Sequence, residues 1–493
     1  MKFLGIPYTD LMNDVQRWKT QKLANVSIEN VSNYGAISPQ IPVKNDLLMG
    51  NVPLPPQHEN CLNLNIFTTD TKANLPVMVW IHGGGFTIGS GSLPIYDGDE
   101  LATKENVVVV TINYRLGALG FLRLCDVTDG VIPSNGNEGL DDQVTALKWI
   151  QENIHTFGGD KNNVTVFGES AGAMSISCLL AMPSAKGLFH KAILQSGAGH
   201  TYLTKDKANQ VALAFIESAE ALGFSTEQLL SISSDDILNI QKHLLARPEI
   251  YRDFGILPFR PVVDGEILPL PPHQAIAEGA AKEIIIIAGS NTEEWTLFAA
   301  IINQNIQDEE QLHLHLSPLI AKENITPYLA LMSAQLNQRK TEITHQGLLN
   351  EALTEYWFSE PCNRLLAAHS QAGGTAYRYK LGRKTIIPTL GCTHITDIGL
   401  VFNHVAEQFH GSETRVLELA EEMQNCWGSF AHYGRPTSGD IEWPCYVDNM
   451  NSISEQKQQE FLFFDHHSTH LQTVSKQSTE FWLCISDEQL ASF

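Results

Sequence analysis

The stretch "NVTVFGESAGAMSISCLLA", residues 163–181, decides the fold. Val164 to Phe167 are β-branched or aromatic strand formers, Gly168 and Gly172 bracket Ser170, and small, helix-compatible residues follow. A strand that runs through G-x-S-x-G into a helix is the setting of a nucleophile elbow. The two glycines have a physical reason. A turn tight enough to thrust a serine outward leaves no room for Cβ atoms at the flanking positions, and such strain persists where chemistry uses it. A helix starting just after Ser170 points its free N–H groups at an oxygen that develops negative charge. The five-residue pattern is common by chance in a chain of 493 residues, so its meaning depends on partners elsewhere.

The first partner lies upstream in "WIHGGGFTIGS", residues 80–90. Gly83, Gly84 and Gly85 follow a run that ends at Ile81, and successive glycines let backbone N–H groups approach a ligand unobstructed. The absence of a lysine at P-loop spacing argues against a phosphate cradle. A glycine loop of this kind together with G-x-S-x-G marks an acyl-transfer site. In that arrangement an acid and then a histidine follow the serine along the chain. The acid candidates are Glu293 and Glu294 in "NTEEW", just past the run "EIIIIAGS", where open α/β sheets bind ligands. Spacing does not choose between them, and with 18 histidines composition does not choose a base.

The runs "LPVMVWI" (75–81), "VVVVTINY" (107–114), "NVTVF" (163–167), "KAILQSG" (191–197) and "EIIIIAGS" (283–290) read as buried strands. Buried apolar strands alternating with helical stretches indicate a mainly parallel sheet with helices on both faces, an α/β fold. Residues 204–371 are largely helical in period, interrupted by the strand-like "FRPVVDGEILP", and no linker composition marks their edges. They read as a helical insertion within one domain covering 1–493, and residues 475–493 read as a closing helix.

Composition narrows the function. The chain is 43 % hydrophobic and 18 % charged, with a net charge of −23 and no basic stretch, which argues against nucleic-acid binding. Its eight cysteines form neither a C-x-x-C pair nor a zinc spacing, and the longest apolar runs are too short to span a bilayer. The opening "MKFLGIPYTD" lacks the apolar core of a signal peptide, so the cytoplasm is the expected compartment. The sequons at Asn25, Asn30, Asn163 and Asn324 would matter only in a secreted protein.

Taken in order, "FLGIPY", "ENCLNLNIF", "PVMVWIHGGGFTIGSG", "TINYRLGALGF", "GNEGLDDQVTALKWIQENIHTFGGDKNNVTVFGESAGAMS", "FRPVVDG" and "WGSFAHYGRPT" resemble the blocks of the type-B carboxylesterases, the cholinesterase-like branch of the α/β-hydrolases. The resemblance spans nearly the whole chain and implies the α/β-hydrolase fold. It places the nucleophile on Ser170, the oxyanion-hole amides on Gly84, Gly85 and Ala171, and the acid on Glu294, with Glu293 where an aspartate usually stands. It places the base on His394 in "LGCTHITDIGLVF", with His404 and His410 as the alternatives. The implied activity is hydrolysis of small to medium hydrophobic carboxylic esters through an acyl-enzyme, with no metal or cofactor and a small-molecule substrate. A lipase, an amide or carbamate hydrolase, and a non-catalytic interaction protein are the alternatives; the intact Ser170 disfavours the last.

Several positions depart from the family pattern. The "GIPY" block stands almost at the first residue, so the strands that usually precede it are expected to be missing. Asn60 replaces an aspartate, weakening an expected structural ion pair, and Asp397 replaces a glutamate. Ile395 replaces the glycine usual after the base and is expected to crowd it. No cysteine precedes Cys61, so the disulfide of extracellular relatives is not expected. No phenylalanine, tyrosine or tryptophan lies between Ser38 and Glu59, where cholinesterases carry the tryptophan that stacks on the quaternary ammonium, so a choline ester is not the expected substrate.

Overall fold

The computed structural model describes residues 1–10, 17–23, 32–42, 55–446 and 460–491. Its strands are β1 (Lys2–Pro7), β2 (Asn63–Phe67), β3 (Leu75–Ile81), β4 (Val108–Ile112), β5 (Gly159–Glu169), β6 (Lys191–Gln195), β7 (Leu203–Thr204), β8 (Val262–Val263), β9 (Ile285–Asn291), β10 (Ala376–Leu381), β11 (Glu460–Phe464) and β12 (Thr469–Thr473). All except the short β7–β8 pair belong to one sheet, in the order β1-β2-β4-β3-β5-β6-β9-β10-β11-β12. From β4 to β11 every neighbour is parallel, and the outer pairs are antiparallel. This is the expected mainly parallel α/β sheet.

Parallel strands bring their C-terminal ends to one edge. In register, Ile81 of β3 faces Gly168 of β5, Glu169 faces Gln195 of β6, and Gln195 faces Gly289 of β9. The glycine loop, the Ser170 turn and the Glu293–Glu294 turn therefore leave the sheet side by side, although more than 200 residues of chain separate the first from the last.

The central strands carry apolar residues on both faces. Val77, Val79, Ile81, Val164, Val166 and Leu194 point into a core shared with the helices Glu138–Asn153 and Ala171–Ala181. Met78, Trp80, Phe167, Ile193 and Ile287 point to the opposite face, against the helices Thr396–Val401 and Thr414–Tyr433. There the Trp80 ring meets Phe167 at 4.9 Å and Phe402 at 5.0 Å. Full burial of such side chains stabilises by about 1.5–3 kcal/mol each, so this two-sided core carries most of the stability.

All five sequence-read strands are present, and β5 continues through Gly168 and Glu169 up to the elbow. Strand β10, "AYRYKL", escapes an apolar-run criterion because it carries the buried Arg378 and the half-buried Lys380. The Arg378 guanidinium lies 4.4 Å from the Phe461 ring, and Lys380 pairs with Glu355 at 2.8 Å. The "FRPVVDGEILP" segment contributes only Val262–Val263 as strand.

The single closing helix is corrected. Lys476–Trp482 and Asp487–Ala491 are separate helices, and residues 492 and 493 lie outside the described residues. The break has a cause on each side. Arg364 Nη2 donates to the carbonyls of Trp482 at 2.8 Å and Ile485 at 2.7 Å. Ser486 and Gln489 then satisfy each other's backbone N–H groups, which starts a new helix.

Candidate active site

Ser170 stands between β5 and the helix Ala171–Ala181 with φ 54° and ψ −123°. A serine in this region costs about 1–3 kcal/mol, and the surroundings hold it there. Its N–H donates to the Gln195 carbonyl at 2.9 Å, and its own carbonyl accepts from Met174 at 2.9 Å. Gly172 is required by close approach, since a Cβ there would lie 1.9 Å from the carbonyl oxygen of Ile81. The helix can therefore start directly against β3.

The glycine loop comes down on this turn. A Cβ at Gly83 would be 3.1 Å from Ser170 Cβ and 2.7 Å from Glu169 Oε2. Gly84 has φ +111°, and a Cβ there would meet the Ile88 carbonyl oxygen at 2.2 Å. Its carbonyl accepts from Thr87 and Ile88, both at 3.1 Å, which turns the loop back on itself. Among the described residues the N–H groups of Gly84 and Gly85 donate to no backbone or side-chain acceptor. Ser170, Gly84 and Gly85 are half-buried while Ala171 is buried, so this is where the site meets solvent. Leu257 closes over the loop, its Cδ2 lying 3.1 Å from the Cβ position of Gly85.

Of the two adjacent glutamates, Glu294 reaches a histidine. Its Oε2 lies 2.6 Å from His394 Nδ1, and both side chains are buried. Its Oε1 accepts from the Ser196 hydroxyl and the Asn291 N–H, each at 2.6 Å. Asn291 Nδ2 in turn donates to the carbonyls of Thr393 at 2.8 Å and His394 at 3.1 Å. Glu293 turns away, with Oε2 accepting from the Cys392 N–H at 2.7 Å and Oε1 at 3.4 Å from Lys384. The His394 ring packs against Phe298, at 5.0 Å, and Phe358, at 4.7 Å, which stack on each other at 5.9 Å. Phe358 sits on a π-helical turn, Glu355–Ser359, a local widening that recurs at functional sites.

His394 Nε2 has no hydrogen-bond partner and lies 3.2 Å from Glu169 Oε1, which is equally unpaired and buried. Burial alone would lower the histidine's pKa, but the carboxylates of Glu169 and Glu294 outweigh it and raise it. Burial raises that of Glu169, helped by Asp397 and Glu294 and opposed by His394. Glu169 and His394 therefore compete for a proton at this end of the ring.

The alternative histidines are engaged elsewhere. His404 Nε2 lies 2.7 Å from the Asp97 carbonyl and His410 Nε2 lies 3.2 Å from the Thr396 carbonyl, with burial lowering His410 to about 4. Asp397 is buried, and its Oδ2 accepts from Gln195 at 2.8 Å and Tyr379 at 3.0 Å. Burial raises it to about 6. Ile395 is buried in the apolar cluster that also holds Trp80 and Trp427, and its neighbour His394 keeps the 2.6 Å contact with Glu294. Asn60 leaves its Oδ1 buried without a partner, while Arg115 forms a bidentate pair with Asp142 at 2.7 and 2.6 Å. Cys61 and the other seven cysteines are free thiols.

Glu169, Ser196, Asn291, Phe298, Phe358 and Leu257 were not singled out from the sequence. A signal was available for Ser196 and Asn291, which stand at the C-terminal ends of parallel strands. For the two phenylalanines and Leu257, nothing in the local pattern distinguishes them from core residues.

The model of the carboxylesterase family matches residues 1–482. The chain is 38 % identical over 456 residues to para-nitrobenzyl esterase of Bacillus subtilis (strain 168), covering 90 % of this chain and 88 % of that protein. It is 32 % identical over 483 residues to Carboxylesterase 1D of Mus musculus, covering 90 % and 83 %. A thermophilic PNB esterase structure superposes with a TM-score of 0.82 at 33 % identity, covering 99 % of this chain and 95 % of that one. A carboxylesterase structure from Geobacillus stearothermophilus gives 0.80 at 30 % identity, covering 97 % and 96 %.

Proposed function

The chain belongs to the carboxylesterase family, and from that membership we propose that it hydrolyses small to medium hydrophobic carboxylic esters through an acyl-enzyme on Ser170. Its relatives are named esterases and carboxylesterases, and the chain is a carboxylic ester hydrolase; the assignment of roles is our own reading. The observation that carries it is the 2.6 Å contact between Glu294 and His394, formed beside the strained Ser170 turn.

His394 Nε2 takes the hydroxyl proton of Ser170 as Oγ attacks the ester carbonyl. Glu294 holds Nδ1–H, selecting the tautomer with a free Nε2 lone pair and stabilising the imidazolium that forms. The Gly84, Gly85 and Ala171 amides bind the tetrahedral oxyanion, each worth about 3–4 kcal/mol of barrier lowering. The imidazolium protonates the departing alcohol. Water then attacks the acyl-enzyme with His394 again as base, releasing the acid and restoring Ser170.

The half-buried Ser170 and the apolar side chains of Leu257, Phe298 and Phe358 suit an uncharged acyl group better than an ionic one. No helix among the described residues is long and apolar enough to cross a membrane. Replacing Ser170 by alanine and assaying p-nitrophenyl butyrate and a p-nitrobenzyl ester tests the reading. Turnover is expected to vanish together with labelling by a fluorophosphonate; retention of most turnover refutes it. A chain-length series of p-nitrophenyl esters, with triglyceride and anilide controls, separates esterase from lipase and amidase.

A further inference from the structure

Away from the Ser170 turn, three segments distant in the chain meet at a second cluster of ligand-bearing side chains. His200 lies on the loop after β6, His273 on the helix Pro272–Ala277, and Asp487 on the helix Asp487–Ala491. One ligand atom from each lies within 4.8 Å of the others. His200 is buried, its Nε2 lies 3.0 Å from Asp487 Oδ1, and its Nδ1 has no partner. His273 is half-buried and, with Asp487, lines a cavity of about 690 Å³.

From this cluster we propose that His200, His273 and Asp487 form a binding site for one divalent cation of the zinc class, completed by water from the cavity. The donor set, two imidazoles and a carboxylate, is one that zinc accepts with an open fourth position.

The lining also favours a cation. Among the described residues lining the cavity are the carboxylates of Glu360, Asp487 and Glu488 and one basic side chain, Arg364. Arg364 pairs with Glu360 at 2.8 Å and with Asp487 Oδ1 at 2.7 Å. Both recorded contacts of Asp487 fall on Oδ1, so Oδ2 is the oxygen we assign to the metal.

The imidazole rings stack at 4.5 Å with planes 2° apart, so their in-plane lone pairs do not converge as they stand. Ligation therefore turns the His273 ring, on the cavity side, about its Cβ–Cγ bond and opens the stack. The bound ion would tie the Asp487–Ala491 helix to the loop that carries Ser196. The proposal does not depend on the roles assigned to Ser170, His394 and Glu294.

The test uses the full chain without an affinity tag, with the exposed Cys445 and Cys484 alkylated. The protein is freed of metal by chelation, then titrated with Zn²⁺ by calorimetry and with Co²⁺ by its visible d–d absorption. One equivalent is expected to bind and to raise the thermal midpoint. His273→Gln and Asp487→Asn are each expected to weaken binding on the order of tenfold or more. Unchanged turnover by metal-free His273→Gln reports that this variant is folded. Equal affinity in wild type and His273→Gln overturns the proposal, as does the absence of saturable binding up to millimolar metal.

Discussion

His394 Nε2 stands 3.2 Å from Oε1 of Glu169, the residue immediately before the proposed nucleophile, and neither atom has a hydrogen-bond partner. An anionic neighbour favours the imidazolium, so the proton on this pair must leave before His394 can act as a base. Raising the pH through that pKa therefore switches activity on. In Glu169→Gln the negative charge is gone and the histidine loses its proton at lower pH. The acid limb of kcat/KM is expected to move down by roughly one unit. A pH profile superposable on that of the wild type would show that Glu169 is already neutral where the enzyme works.

Glu294 and Glu293 are neighbours with opposite fates. Glu294→Gln leaves Ser196 and Asn291 their hydrogen-bonding partner but removes the charge beside Nδ1. We expect kcat to fall by about 10³–10⁴ with the fold intact by circular dichroism. Glu293→Gln, whose partners are Cys392 and Lys384, is expected to stay within a few-fold of wild type. If the two variants lost activity equally, the assignment of the acid would fail.

Gly172 admits no side chain. A Cβ 1.9 Å from the Ile81 carbonyl oxygen must push the helix off β3 or break the elbow. Gly172→Ala is expected to destabilise by more than about 2 kcal/mol, read from the midpoint of urea unfolding at constant slope. Gly187 has no atom within 4 Å of its Cβ position but has φ +80°, so Gly187→Ala should show only the smaller backbone cost.

Leu257 should limit the acyl chain. Its Cδ2 reaches the glycine loop where the proposed oxyanion forms. Leu257→Ala opens that wall, and kcat/KM for hexanoate relative to acetate esters is expected to rise on the order of tenfold. A ratio unchanged across a p-nitrophenyl ester series would place the acyl chain elsewhere.

Much of this architecture is local and so can be read along the chain. The run from Val164 to Phe167, the bracketing glycines and the small residues after Ser170 specify strand, turn and helix through nearest-neighbour sterics. The apolar runs of β3 and β9 likewise declare burial on both faces. Strand β10 hides because Arg378 and Lys380 find partners only in the folded chain, at Phe461 and Glu355. The closing segment reads as one helix because Arg364, which donates to the carbonyls at its break, lies 118 residues from Trp482.

Residue types and their order along the chain thus announced an acyl-transfer site: a serine on a strained turn, a glycine loop before it, an acid and a histidine after it. Residue chemistry alone left open which of two adjacent glutamates serves, a choice that the family resemblance then made. Consecutive residues on a helical turn point about 100° apart, so the direction of each carboxylate depends on how that turn is seated on the sheet. The 100-residue gap between Glu294 and His394 closes only when β9 and β10 align, and that alignment is a property of long-range packing. The same packing brought Glu169 to the free nitrogen of His394, a contact no spacing in the chain foretells.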